Sequence, residues 1–228
     1  MVRTILNWRN LRQQAFCTEA IVLIQVIVFV LMTLAGGSTN SQVLVDFGAK
    51  WAPYIQAGQW WRLITPVFLH VGLMHLVVNS VTVYYIGTQI ENMFGHWRFI
   101  LIYFVSAITG NLASFVFSPS SLSAGASTAI FGLFGAFLML GESFHHNPYI
   151  RLLSRQFLIF VAINLVFDLF MTGVDLYGHL GGLVGGFLMG YVVGTPQIGK
   201  INLIKRFLSG IILLVVVVLF YQMGMKII

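Results

Sequence analysis

The sequence predicts an all-α, polytopic membrane helix bundle, and three observations carry that expectation. Of 228 residues, 58% are hydrophobic and only 8% are charged, where a soluble domain carries about 25% charged residues. Mean hydropathy is +0.91. Apolar runs recur along the whole chain between short polar segments, and hydropathy reads them as seven spans. The single cysteine, Cys17, excludes an intrachain disulfide and every multi-cysteine metal site. A net charge of +6 would fit a nucleic-acid partner if the basic residues clustered. They are scattered among the spans instead, where orientation in the membrane accounts for them.

Residues 1–19 form a basic lead in which Ile5, Trp8, Leu11 and Ala15 share a helical face, with Arg3, Arg9 and Arg12 beside them. That is the pattern of a short interfacial helix. The first span is 20–35. Thr33, Leu34 and Ala35 resemble a signal-peptidase site, but the lead before the span is long for a signal peptide, so the span reads as a retained anchor. An aromatic-rich loop, 36–72, lies partly in the interface. The later spans are 73–93, 97–117, 127–140, 156–171, 178–194 and 207–223. As units, 1–19 is a cytoplasmic segment, 20–194 a six-helix core, and 195–228 a linker with the seventh span. With the N-terminus inside, nine lysines and arginines fall in inner segments and three (Lys50, Arg62 and Lys226) in outer ones. This bias sets the N-terminus in the cytoplasm and the C-terminus outside.

Topology then gathers polar residues at one depth. His70, His75 and Asn79 sit in or just above the outer end of the second span, Ser127 opens the fourth, and His179 lies at the outer end of the sixth. Polar groups at membrane depth are costly and mark function unless they pair. His75 and Asn79, four apart, share a helical face, as do Ser127 and Phe131. Gly178, Gly182, Gly186, Gly190 and Gly194 repeat every four residues, a seam that lets another helix approach closely. The fourth span, with Ala129, Gly132, Gly135 and Ala136, is the expected partner, and close packing would carry His179 towards Ser127. A hydroxyl becomes a nucleophile when a base lies within about 3 Å. The fourth span is also short, about 14 residues where a crossing takes about 20. The small-residue stretch before it, "SPSSLSAGA", therefore descends below the outer surface. Irregular backbone at that depth needs protein or a water-filled cavity around it.

Plainer roles stand beside these. Ser127 could serve as a helix N-cap, the glycine ladder as packing, and His75 with Asn79 as a polar clamp between helices. His145 and His146 read as solvated loop residues. Glu91 is a boundary acid, and Asp168, which shares a face with Asn164, reads as a structural hydrogen-bond partner. Other hydrolytic chemistries fit poorly. "HLVVN" is not the zinc motif H-E-x-x-H, Asp175 has no second aspartate suited to a dyad, and "GASTA" lacks the last glycine and the strand of a nucleophile elbow.

Together these residues resemble the rhomboid family of intramembrane serine proteases, over most of the chain from Gln59-Trp60-Trp61-Arg62 to Gly194. "HVGLMHLVVN" is similar to the family's His-and-Asn motif, "GASTAIFG" to its serine motif and "GHLGG" to its histidine motif, in that order on the second, fourth and sixth spans. The resemblance implies a Ser127–His179 dyad without an aspartate, and an oxyanion hole from His75, Asn79 and the Ser127 backbone N–H. Gly125 would keep the approach to that hole clear. Phe131, where the family usually has Tyr, would stack on the histidine, and Thr128 stands where Gly is frequent. Gly182, His70, Trp61 and Arg62 would support the site, the last two as scaffold. The resemblance also implies a lateral gate at the fifth span and single-span membrane proteins as substrates, in the plasma membrane, with no metal or cofactor. A non-catalytic relative that binds membrane helices for folding or quality control is the second reading; such relatives often carry proline where Ala126 stands. A transporter would need paired broken helices or an inverted repeat, and neither appears.

Overall fold

Why these residues pack as they do is visible in the computed structural model, which describes residues 15–171 and 173–226. The expected interfacial helix over Ile5, Trp8 and Leu11 lies outside the described residues. Helix α1 is Phe16–Leu34, α2 Ser41–Asp46, α3 Ala52–Gln56, α4 Leu73–Phe94, α5 His96–Phe117, α6 Ser127–Ser143, α7 Pro148–Asp168, α8 Leu176–Val193 and α9 Leu203–Lys226. Two single 3-10 turns, Trp60–Leu63 and Thr65–Phe68, join α3 to α4. A helix thus occupies each of the seven segments expected to span. Among the described residues, α1, α5, α7, α8 and α9 are long and apolar enough to cross a membrane. Helix α4 has the length, at 22 residues, but His75, Asn79, Gln89 and Glu91 dilute its hydropathy. Helix α6 has 17 residues and is too short by itself.

The largest departure from the expected bounds is α7, which begins at Pro148 instead of near Gln156. Asn147 caps it, its Oδ1 accepting from the Tyr149 and Ile150 N–H groups at 3.0 and 3.2 Å, and Pro148 stands where no helical N–H is needed. Arg151, Ser154 and Arg155 had hidden those first two turns from hydropathy. Helix α6 likewise runs three residues past Leu140, through Glu142 and Ser143.

Helix α5 is the axis of the bundle, with 72% of its apolar window buried, against 17% for α7 and 6% for α9. Its Phe99, Ile102 and Tyr103 join Leu133, Phe134, Phe137 and Leu140 of α6 in the main core. The glycine seam of α8 faces α6. A Cβ on Gly182 would fall within the Thr128 carbonyl, and one on Gly186 within the Gly132 carbonyl. Gly181 and Gly185 of the same helix face Thr109 and Gly110 of α5. Only hydrogen side chains let three helices meet this closely, and in lipid such contact is the principal source of association. Helix α9 lies along α5 and α8 with Phe220 edge-on to Phe117.

At one end of the bundle Glu91 joins three helices. It accepts from the Cys17 N–H (3.1 Å), the Thr18 N–H (2.8 Å) and the Thr18 hydroxyl (2.6 Å), and it meets His96 Nδ1 at 2.5 Å. The opening N–H groups of α1 are thereby satisfied where no side chain of α1 caps it. At the other end, residues 36–72 form a folded cap in place of an open loop. Arg62 donates through Nη1 to the Val45 and Ala49 carbonyls and through Nε to Gln59.

Two changes test this architecture. Gly182→Val should destabilise the protein by at least about 2 kcal/mol through overpacking against backbone, whereas outward-facing Val184→Ala should stay within about 0.5 kcal/mol. Unfolding in detergent measures both. Lys50→Met should raise amide exchange over 118–125 while α5, α6 and α8 stay protected, for the reasons given next.

Candidate functional site

The stretch before α6 does descend into the bundle, and its backbone is accounted for bond by bond. Lys50 and Ser123 exchange backbone hydrogen bonds at 2.9 and 3.0 Å, and the Gly125 N–H donates to the Pro66 carbonyl at 2.9 Å. Lys50 is fully buried, and its ammonium donates to the carbonyls of Ser118 (2.8 Å) and Ser121 (3.1 Å) and to the Ser121 hydroxyl (3.0 Å). Burial pulls its pKa down to about 8, with Asp175 opposing the shift. Asp175 ties the other side. It caps α8 by accepting from the Gly178 N–H at 2.9 Å, and it takes hydrogen bonds from Ser123 (2.7 Å) and Ser114.

These clamps frame a cavity of about 620 Å³ whose wall includes His75, Gly125, Ser127, Thr128, Asp168 and His179. Ser127 is the first residue of α6, with Ala126 in the cap position making no side-chain cap. Gly125, at φ +136°, turns the chain into α6 with a backbone that L side chains rarely adopt. A Cβ there would sit 2.9 Å from His75 Nε2 and 3.8 Å from Ser127 Oγ, so its absence keeps the space between those two groups open.

The two histidines have opposite polarity. The Val71 N–H donates to His75 Nδ1 at 3.3 Å, which puts the ring proton of neutral His75 on Nε2, towards Gly125. His179 Nδ1 instead meets Asp168 Oδ2 at 2.6 Å; a neutral ring there carries its proton on Nδ1, which leaves Nε2 as an acceptor. Phe131, one turn below Ser127, lies parallel to the His179 ring, with centroids 4.2 Å apart at 11°. No hydrogen bond joins the Ser127 hydroxyl to His179 among the described residues; catalytic contacts are often long before substrate binds.

The other expected residues lie further out. Asn79 is buried one turn below His75, its amide donates to the His75 carbonyl at 2.9 Å, and its Oδ1 has no partner. It does not line the cavity. His70 is buried behind His75, ring centroids 5.3 Å apart. Burial, with the neighbouring His75, pulls its pKa to about 3. Gly182 sits in the seam under Thr128. Arg62 is a tie within the cap and Trp61 is exposed, neither of them at the cavity. His145 and His146 are exposed, as expected. Asn164 bonds only within α7. Sequence reading missed Lys50, Asp175 and the contact of Asp168 with His179; the shortness of the 169–175 connection was the available signal for the last. The one cluster of His, Cys and acidic side chains with metal-like spacing among the described residues is Cys17, Glu91 and His96. It lies at the opposite end of α4, and its carboxylate is already engaged by α1.

Residues 57–196 match the model of the Rhomboid domain. The chain is 42% identical to Rhomboid protease GluP of Bacillus subtilis (strain 168) over 208 residues, 91% of this chain and 40% of that protein. It is 39% identical to RHOMBOID-like protein 6, mitochondrial, of Arabidopsis thaliana, over 70% of this chain and 53% of the relative. With Rhomboid-like protease 3 of Toxoplasma gondii it shares 36% identity, over 81% of this chain and 73% of the other. The chain therefore spans about two fifths to half of the length of the first two relatives. A domain match covering most of the chain, on a helical bundle built for the membrane, means that this protein belongs to the rhomboid family.

Proposed function

We propose that this chain is an intramembrane serine endopeptidase that cuts single-span membrane proteins near the outer face of a plasma membrane. The carrying observation is that His75 and His179 share one cavity with Ser127 and have different Nδ1 partners, the Val71 N–H and Asp168; as neutral rings, one would offer a proton and the other a lone pair. Relatives named as proteases support the same reading.

In this mechanism Ser127 Oγ attacks the scissile carbonyl carbon as its proton passes to His179 Nε2. The carbonyl oxygen becomes an oxyanion and accepts from His75 Nε2–H and from the Ser127 backbone N–H, which is free at the first turn of α6. Asn79 contributes one turn further in. Collapse breaks the C–N bond, and His179 returns the proton to the leaving amine. Water then enters the polar cavity and attacks the acyl carbonyl carbon as His179 takes its proton; collapse breaks the C–Oγ bond, His179 returns the proton to Ser127 Oγ, and the carboxylic acid product leaves. Phe131 holds the plane of the imidazole through both steps.

A substrate helix has a way in from the bilayer. Between α4 and α7 lies an apolar cleft of about 190 Å³ lined by Val81, Tyr85, Ile86, Phe157 and Phe160. Helix α7, with a small buried share, is the wall that can move, which fits the lateral gate implied for the fifth span. The count of nine inner to three outer basic residues supports seven crossings with the N-terminus inside and the cavity near the outer face.

Labelling of purified, detergent-solubilised protein by a fluorophosphonate serine probe should be strong in wild type and lost in Ser127→Ala and His179→Ala, both remaining folded. Absent wild-type labelling, with capture of membrane helices instead, would support the helix-binding alternative. On a single-span reporter, His75→Ala should lower kcat by on the order of 10²-fold. Asn79→Ala should cost less, because it stands back from the cavity wall.

A further inference from the structure

We infer that Asp168 is a positioning residue for His179, holding the imidazole in the one tautomer that can act as a base. The catalytic consequence rests on the proteolytic reading above; the hold on the tautomer does not.

Asp168 is the last residue of α7, and its Oδ2 lies 2.6 Å from His179 Nδ1, with both side chains 9% exposed. A neutral imidazole has one ring proton. With a carboxylate at Nδ1, the proton sits there and the lone pair sits on Nε2. The opposite tautomer would carry N–H at Nε2 and could accept nothing from Ser127. The ring is fixed twice: Phe131 sets its plane, and Asp168 sets its rotation within that plane. When Nε2 takes the serine proton, His179 becomes cationic and its hydrogen bond to the Asp168 carboxylate becomes charge-assisted, the stronger kind. Only the serine proton moves. The family resemblance implies a dyad with no aspartate, so this contact sets the chain apart from that expectation.

Helix α7 packs on α6 through Phe157 and Phe160 but has few polar ties. Among the described residues, its side chains make two hydrogen bonds to other elements: Ser154 to the Phe137 carbonyl at 2.8 Å, and Asp168 with His179. A contact that merely tied α7 down would be felt in stability alone, which separates the two roles.

The test is long-range ¹H–¹⁵N spectroscopy of the full chain, labelled at its six histidines, with His179 assigned by its loss in His179→Ala. It is paired with kinetics on a single-span reporter. Wild type should show His179 protonated at Nδ1. Asp168→Leu should populate the Nε2–H form and lose at least about tenfold in kcat, with KM within about threefold, by analogy with triads that lose their aspartate. Asp168→Asn can turn its amide N–H towards Nδ1, so it should also shift His179 to the Nε2–H form and lose rate; being nearly isosteric, it carries the test if the leucine variant does not fold. An unchanged tautomer in Asp168→Leu, or a kcat equal to that of an active wild type, would overturn the inference. A wild type that neither labels nor cleaves, while its tautomer still answers to Asp168, would sink the proteolytic reading and uphold the positioning.

Discussion

Two helices in lipid gain nothing from the hydrophobic effect by touching each other, because lipid tails are as apolar as leucine. What holds α6 against α8 is close-range dispersion over backbone, and that requires the glycines. Gly182 and Gly186 lie against the Thr128 and Gly132 carbonyls, so the register between the helices is fixed to within a fraction of a side chain. Ser127 immediately precedes Thr128, and His179 is three residues before Gly182. The distance that matters to the proposed chemistry is thus set by the same contact that holds the bundle. A side chain in the seam would cost stability and would move Ser127 away from His179.

Close packing explains the depth of the cavity but not its polar lining, whose groups the surrounding structure has to satisfy. The segment before α6 cannot form helix and still open a cavity. Its carbonyls need donors from elsewhere, and buried Lys50 supplies them. Asp175 does the matching service for Ser114, Ser123 and the first turn of α8. Each is an ionisable group in a place where charge is expensive. Both are arranged so that the irregular backbone is surrounded by protein on one side and by the cavity on the other, as non-helical chain at membrane depth requires.

Hydropathy made most of the bundle legible, because a long apolar run in this composition has few alternatives to a spanning helix. It misplaced the start of α7, where Arg151, Ser154 and Arg155 interrupt the apolar pattern while Asn147 and Pro148 still set a clear helix start. The serine, histidine and glycine residues of the site could be read because their spacing along helices fixes shared faces. Asp168 could not be placed that way. Its partner depends on how the chain turns between α7 and α8, which periodicity does not encode, and a lone acid on an otherwise apolar helix reads equally well as a structural tie. Lys50 was counted for orientation and never as a clamp, since nothing near it in sequence announces Ser118 or Ser121 as its acceptors.

The two histidines show how one side-chain type can take opposite parts in a single cavity. Both rings are of the same chemistry, so intrinsic basicity cannot distinguish them; the partner at Nδ1 does. A backbone N–H at His75 Nδ1 forces the proton outward onto Nε2, and a carboxylate at His179 Nδ1 draws it inward. Donor and acceptor then face the same small volume, the polarity needed to stabilise an oxyanion on one side and to accept a proton on the other. Each partner comes from an element other than the glycine seam: Val71 from the turn ahead of α4, Asp168 from the end of α7. Packing of α6 on α8 therefore supplies proximity, while the periphery supplies protonation. Because α7 is much less buried than α5, the contact that orients His179 comes from an outer helix of the bundle and not from its axis.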